Sequence, residues 1–132
     1  MTKSELEKRT RAFALAVIRF IDNLPRNKAG RIMSVQLLRS ATSIGANYRE
    51  ANHAESRRDF VHKIAIVEKE AAESLYWIEL FEEAMIGSPE ELKLLFHECN
   101  QLVAVFTRIG RTTKHRMSPK SEIRNPKSEF PL

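Results

Sequence analysis

Cysteine is nearly absent from this 132-residue chain: Cys99 stands alone. One thiol excludes an internal disulfide scaffold and any zinc site built on cysteine pairs, and it suits a reducing, cytoplasmic setting. Glycine and proline are also scarce, four and five residues, while 42% of the chain is hydrophobic; collagen-like and wholly disordered chains are thereby excluded. No apolar run approaches the roughly 18 residues of a membrane-spanning helix. The N-terminus, MTKSELEKRTRAF, is too charged to begin a signal peptide. Phosphate loops of the Gly-x-x-x-x-Gly-Lys type and Gly-x-Ser-x-Gly nucleophile elbows are missing too, so neither an enzyme nor a bound cofactor is expected.

Charge is plentiful and uneven. The chain carries 22 Lys and Arg against 17 Asp and Glu, a formal +5. Residues 1–55 hold ten cations and five acids, 56–87 four and seven, and 88–132 eight and five, so +5, −3 and +3 make up the total. The termini are basic and the middle is acidic.

The apolar residues repeat at helical spacing four times. Ser4-x-x-Glu7 is a capping box, and Leu6, Thr10, Phe13, Val17, Phe20 and Leu24 follow at alternating four and three, with Ala14, Ile18 and Ile21 widening the stripe. This predicts a helix over 4–24, ended by Pro25. A second, over 31–53, has Leu37, Ala41, Ile44 and Tyr48 on one face with Ile32, Val35 and Leu38 beside it; its small-residue stretch SATSIGAN suits close approach by a neighbouring helix. Ser56-x-x-Asp59 caps a third, over 57–86, whose seam Phe60, Ile64, Val67, Ala71, Ser74, Ile78, Phe81 and Met85 averages about 3.5 residues, as in bundles. Ser88-Pro89-Glu90-Glu91 starts a fourth, over 89–114, with Leu92, Leu95, Cys99, Leu102, Phe106 and Ile109 as its seam and Gly110 near its end. Four such helices with short connections predict an all-α, antiparallel up-down-up-down four-helix bundle over residues 1–116. Residues 117–132, where Pro119-Lys-Ser-Glu-Ile123 recurs as Pro126-Lys-Ser-Glu-Phe130, read as a flexible tail.

The run from Leu38 to Phe81 carries a more specific pattern: Ser43-Ile44 with Asn47 and Glu50, Ser56 with Asp59-Phe60, Glu73-Ser74, and Tyr76-Trp77 with Glu79-Leu80. It resembles the four-helix-bundle proteins encoded in intervening sequences of large-subunit (23S) rRNA genes, a family that includes the accessory protein of diversity-generating retroelements. Where many members read Asn-Ile-Ala-Glu-Gly, this chain has Asn47-Tyr48-Arg49-Glu50-Ala51. The resemblance implies a four-helix protomer, a ring-shaped homopentamer, no enzymatic activity and a basic surface suited to RNA or DNA. A protein partner, such as a reverse transcriptase or a ribosome-associated factor, is the alternative it implies.

Candidate residues follow. Phosphate binding needs clustered cations: Arg31, Arg39, Arg49, Arg57 and Arg58 form one candidate group and Arg108, Arg111, Lys114, Arg116 and Lys120 another. Helix three has a second apolar line, Ile66, Trp77, Leu80 and Ala84 with Tyr76 adjacent: either helix three is central in the bundle or this face meets another protomer, and the resemblance favours the oligomer interface. Asn47 reads as a structural amide, bonded across the bundle or to a backbone carbonyl. Glu50-x-x-His53 and Asp59-x-x-His62 resemble half of a di-iron motif, but helix one offers no inward carboxylate, so no metal is expected. Cys99, on a seam, reads as an inert core thiol.

Overall fold

The computed structural model describes residues 1–124, with side chains through Arg116. Four helices account for it: α1 (Lys3–Asp22), α2 (Lys28–Ala51), α3 (Arg57–Glu83) and α4 (Pro89–Arg124). The connections 23–27, 52–56 and 84–88 have five residues each, too few to let the chain return along its own length, so successive helices run antiparallel. Each helix packs on two neighbours, α1 on α2 and α4, α3 on α2 and α4. The expected four-helix bundle is what forms.

The seam residues close the centre. Leu6, Phe13, Val17 and Phe20 of α1, Leu37, Ala41, Ile44 and Tyr48 of α2, Ile64, Val67, Ala71, Ile78 and Phe81 of α3, and Leu92, Leu95, Cys99, Leu102 and Phe106 of α4 are all buried. Aromatic side chains bridge both diagonals: Phe20 meets Phe81 edge-on at 5.2 Å and Tyr48 meets Phe106 at 5.2 Å. Offset and edge contacts of this kind add about 0.5–1.5 kcal/mol beyond the area they bury.

Small residues set how closely the helices approach. A Cβ on Gly45 would lie 3.1 Å from Thr10 Oγ1, so α1 and α2 nearly touch within SATSIGAN. Across the α2–α3 face Ser74 Oγ donates to Ser40 Oγ at 2.8 Å, and Ser40 passes its own proton to the Leu37 carbonyl at 3.2 Å. Thr10 donates to the Glu7 carbonyl at 2.9 Å. These buried hydroxyls are therefore satisfied, which removes the roughly 1–3 kcal/mol that an orphaned polar group costs.

The ends differ from expectation in ways hydrogen bonds explain. Thr2-x-x-Glu5 and Ser4-x-x-Glu7 both fit a capping box, and the earlier pair wins: Glu5 N donates to Thr2 Oγ1 at 3.0 Å and Thr2 N to Glu5 Oε1 at 2.8 Å. α2 starts at Lys28 rather than 31 because Asn27 Oδ1 accepts the Gly30 amide at 2.7 Å. Ser56 caps α3 through the Asp59 amide and Ser88 caps α4 through the Glu91 amide, as read. Gly110 does not stop α4. It keeps helical geometry and lies against Ile64 and Glu68, where any Cβ would sit 3.4 Å from both. The helix runs on to Arg124, ten residues past the expected 114 and through the first repeat copy; residues 125–132 lie outside the described residues.

α3 ends at Glu83, earlier than 86, in a Schellman motif: Ile86 N donates to Phe81 O and Met85 N to Glu82 O, both at 3.1 Å. The left-handed position falls on Met85 (φ 57°), not on glycine, and its side chain is 88% exposed instead of extending the seam. A side chain in this region costs about 1 kcal/mol or more. Gly87 (φ 98°) follows, where a Cβ would strike the Phe20 ring at 2.6 Å. Met85→Gly is therefore expected to stabilise the protein by about 1 kcal/mol, read as a higher urea midpoint at unchanged slope.

Candidate nucleic-acid interface

Antiparallel packing brings together parts of the chain that are far apart in sequence. The start of α1, the end of α2, the 52–56 turn, the start of α3 and the later turns of α4 share one end of the bundle. Tyr48 against Phe106, and Gly110 against Ile64, fix that level. Arg49, Arg57, Arg58, Arg108, Arg111 and Lys114 all belong to it and are exposed. In the sequence they form two separate groups; the fold places them at one end. A 490 Å³ cleft there is lined by Glu55, Ser56, Arg57, Phe60, Thr113 and Arg116, and a smaller one by Glu7, Arg11 and Arg49 with Gly45 and Thr42, so each carries one carboxylate beside two arginines.

Two of the candidate cations stand elsewhere. Arg31 is at the opposite end of α2, about 27 Å of helix away from Arg49, beside Arg26 and Lys28 in a 630 Å³ cleft floored by Ile21, Leu24 and Pro25. Arg39 lies mid-helix and is held by Glu73 and, at 3.2 Å, by Glu70 of α3. Hydrogen bonding from Arg39, reinforced by the Trp77 indole at 3.1 Å, holds the Glu73 carboxyl below its usual range. Arg39 thus joins α2 to α3, and its charge is already met.

Among the described residues the other ion pairs use Arg9, whose Nε donates to Glu98 Oε2 at 2.6 Å, and Lys63, 3.6 Å from Glu50. Glu98 holds the Arg9 guanidinium above its ordinary value. None of Arg11, Arg49, Arg57, Arg58, Arg108, Arg111, Lys114 and Arg116 makes such a pair among the described residues. Arg11, missed in the sequence, could have been found by folding the four stripes into a bundle and asking which cations share an end; Arg116 belongs to the second candidate group and stands at the same end. Bundle ends that gather unpaired cations are what a phosphate backbone requires.

The family model for the 23S rRNA-intervening sequence protein matches residues 2–108, which span all four helices. The chain belongs to this family. A crystal structure from Bacteroides thetaiotaomicron, at 1.70 Å and described as a protein of unknown function from the S23 ribosomal protein family, is similar at 34% identity with a TM-score of 0.71. The likeness covers 79% of this chain and 96% of that one. Comparison with curated proteins gives no match. Neither description names an enzymatic activity.

The remaining candidates are placed as follows. Asn47 Nδ2 donates to the Ser43 carbonyl at 2.9 Å, so its amide serves its own helix rather than crossing the bundle. On α3, Tyr76 is exposed, Ile66 and Leu80 are half-buried, and Trp77 is half-buried against the core. Four residues expected beside a buried stripe, Ile18, Ile32, Val35 and Leu38, are instead exposed, together with Leu15. The stripes they belong to are narrower than their apolar content because each helix has only two neighbours. Glu50 faces Lys63, and no three His, Cys, Asp or Glu side chains among the described residues are grouped to hold a metal ion. No described helix is long and apolar enough to cross a membrane.

Cys99 is fully buried, its Sγ 3.4 Å from the Ala71 carbonyl. Burial, aided by the Glu98 and Glu79 carboxylates, pushes the thiol up to about 12. A group whose folded pKa is raised contributes stability below its unfolded value and loses it as pH rises. Iodoacetamide at about pH 8 should label Cys99 only after denaturation, and the urea midpoint should fall as pH climbs from the thiol's ordinary 9.0 toward 12.

Proposed function

We propose that this member of the 23S rRNA-intervening sequence protein family is a non-enzymatic, self-associating bundle that binds RNA or DNA through its basic end with little preference for sequence. The observation that carries the reading is the gathering of Arg49, Arg57, Arg58, Arg108, Arg111 and Lys114 at one end without carboxylate partners within 4 Å among the described residues. Phosphates meeting these cations release condensed counterions, a term indifferent to base identity. Guanidinium groups suit it because they grip phosphate oxygens in pairs.

Self-association is supported by the apolar surface left uncovered in the protomer, which includes Tyr76 and the half-buried Ile66 and Leu80 of α3. Exposed aromatic and aliphatic residues grouped on one surface favour a protein contact.

Retention of a structured RNA should fall by about two or more orders of magnitude between about 50 and 200 mM salt. The triple charge reversal Arg49→Glu, Arg57→Glu, Arg58→Glu should flatten that dependence and weaken binding at least about tenfold, while Arg31→Glu alone changes it by no more than about twofold. Absence of binding at low salt, or binding indifferent to the triple reversal, would sink the reading; a protein captured and still held after nuclease digestion would favour an adaptor instead. Light scattering should return about five times the 15.2 kDa protomer mass.

A further inference from the structure

We propose that the 630 Å³ cleft where α1 hands over to α2 is a binding site for a small molecule that carries one anionic group on an apolar body, such as an alkyl phosphate. The cleft stands at the opposite end of α2 from Arg49, so the inference is independent of the nucleic-acid reading. Its volume falls within the range of about 300–1,000 Å³ usual for ligand sites. Ile21, Leu24 and Pro25 form its floor, and Arg26, Lys28 and Arg31 line it beside them. The aliphatic stems of those three side chains extend the apolar wall while their charged heads stay in water.

The charge of the lining has one sign. No carboxylate lines this cleft, whereas each cleft at the basic end carries one beside two arginines. Asp22, Glu82, Glu83, Glu90 and Glu91 belong to the same end of the bundle, but none lines the cleft and none pairs with Arg26, Lys28 or Arg31 among the described residues. Unmet cations beside apolar surface suit an anion that brings its own apolar part. A bare anion would leave Ile21, Leu24 and Pro25 in water, and a neutral apolar molecule would leave the three cations without a counter-charge.

Ser34 adds a polar contact from below. It lines the cleft at 8% exposure; its hydroxyl donates to the Gly30 carbonyl at 2.7 Å and accepts from no donor among the described residues. A lone pair is thus left for an O–H or N–H of the ligand. The helix terminus itself is occupied: the Gly30 amide donates to Asn27 Oδ1 at 2.7 Å and the Arg31 amide to the Asn27 carbonyl at 2.9 Å. Those bonds hold the rim in place, and recognition falls to the side chains.

Titration calorimetry on the full chain with hexyl phosphate, inorganic phosphate and hexanol separates the two parts of recognition. Hexyl phosphate should bind at least about tenfold more tightly than either of the others. The floor is probed through the ligand because Ile21 and Leu24 also pack against the core. Lys28→Glu with Arg31→Glu, both exposed, should weaken hexyl phosphate binding at least about tenfold at unchanged helix content. Arg57→Glu with Arg58→Glu at the far end should leave it within about twofold, as should Ile32→Ser with Val35→Ser on the exposed flank next to the cleft. Amide chemical-shift changes on binding should centre on residues 21–34. No binding of hexyl phosphate, equal binding of inorganic phosphate, loss of binding in either control, or shifts centred elsewhere would overturn the assignment. So would capture by phosphatidylglycerol vesicles without binding of hexyl phosphate, which would point to a membrane surface instead.

Discussion

Everything else in the molecule depends on the burial of one narrow apolar stripe per helix against two neighbours. A seam averaging about 3.5 residues can face a common centre along its whole length only if the helices lie nearly parallel and wind gently about one another. The interior that results is one seam wide. Large rings reach across it at both ends, Phe20 to Phe81 and Tyr48 to Phe106. Between them Ala41, Ala71, Ser40 and Ser74 leave little volume, so the helices come close. Position Gly45 shows the tolerance: one added carbon would already press on Thr10.

That constraint also decides where charge goes. With only the stripe buried, the cations and carboxylates must ride on the outside, and antiparallel packing then sorts them by position along each helix. Arg49 and Arg57 are separated by a turn, Arg57 and Lys114 by two helices, yet all three reach one end. At the other end Glu79, Glu82 and Glu83 of α3 and Glu90 and Glu91 of α4 stand with Arg19, Arg26, Lys28 and Arg31. A modest net charge thus becomes one end where cations outnumber carboxylates such as Glu7, Glu55 and Asp59, and one end where the two signs are nearer balance. Arg39 shows why a count of cations is insufficient: two carboxylates of α3 take its charge, and it serves as a brace.

The fold was legible because periodicity reports directly on burial. Thr10 and Ser74, read as seam positions although polar, are fully buried, and their hydroxyls find partners within the bundle. The site was legible only in part. Sequence separates Arg49 from Arg108 by the whole of α3 and the first half of α4, and nothing local says that the antiparallel turns will cancel that distance. Stripe width was the other hidden quantity. Ile18, Ile32, Val35 and Leu38 satisfy the helical period as well as true core residues do, and only the number of neighbouring helices decides that they remain in water. Met85 failed for a local reason: the Schellman bonds from Ile86 and Met85 end α3 one turn before the seam would have used it.

These two hidden quantities bear on each other. A bundle that bound nucleic acid through one end alone would have no use for aliphatic residues on its flank, and soluble monomers seldom group them. Flank and end are geometrically independent, because Leu15, Ile18, Val35 and Leu38 lie on sides parallel to the bundle axis while Arg57, Arg111 and Lys114 lie across its tip. Burying the flank therefore leaves the tip open. Contact tip to tip between copies would bring unpaired arginines together, which is unfavourable. The polarity that concentrates cations at one end thus leaves the apolar flank and the basic tip as separate surfaces of one protomer.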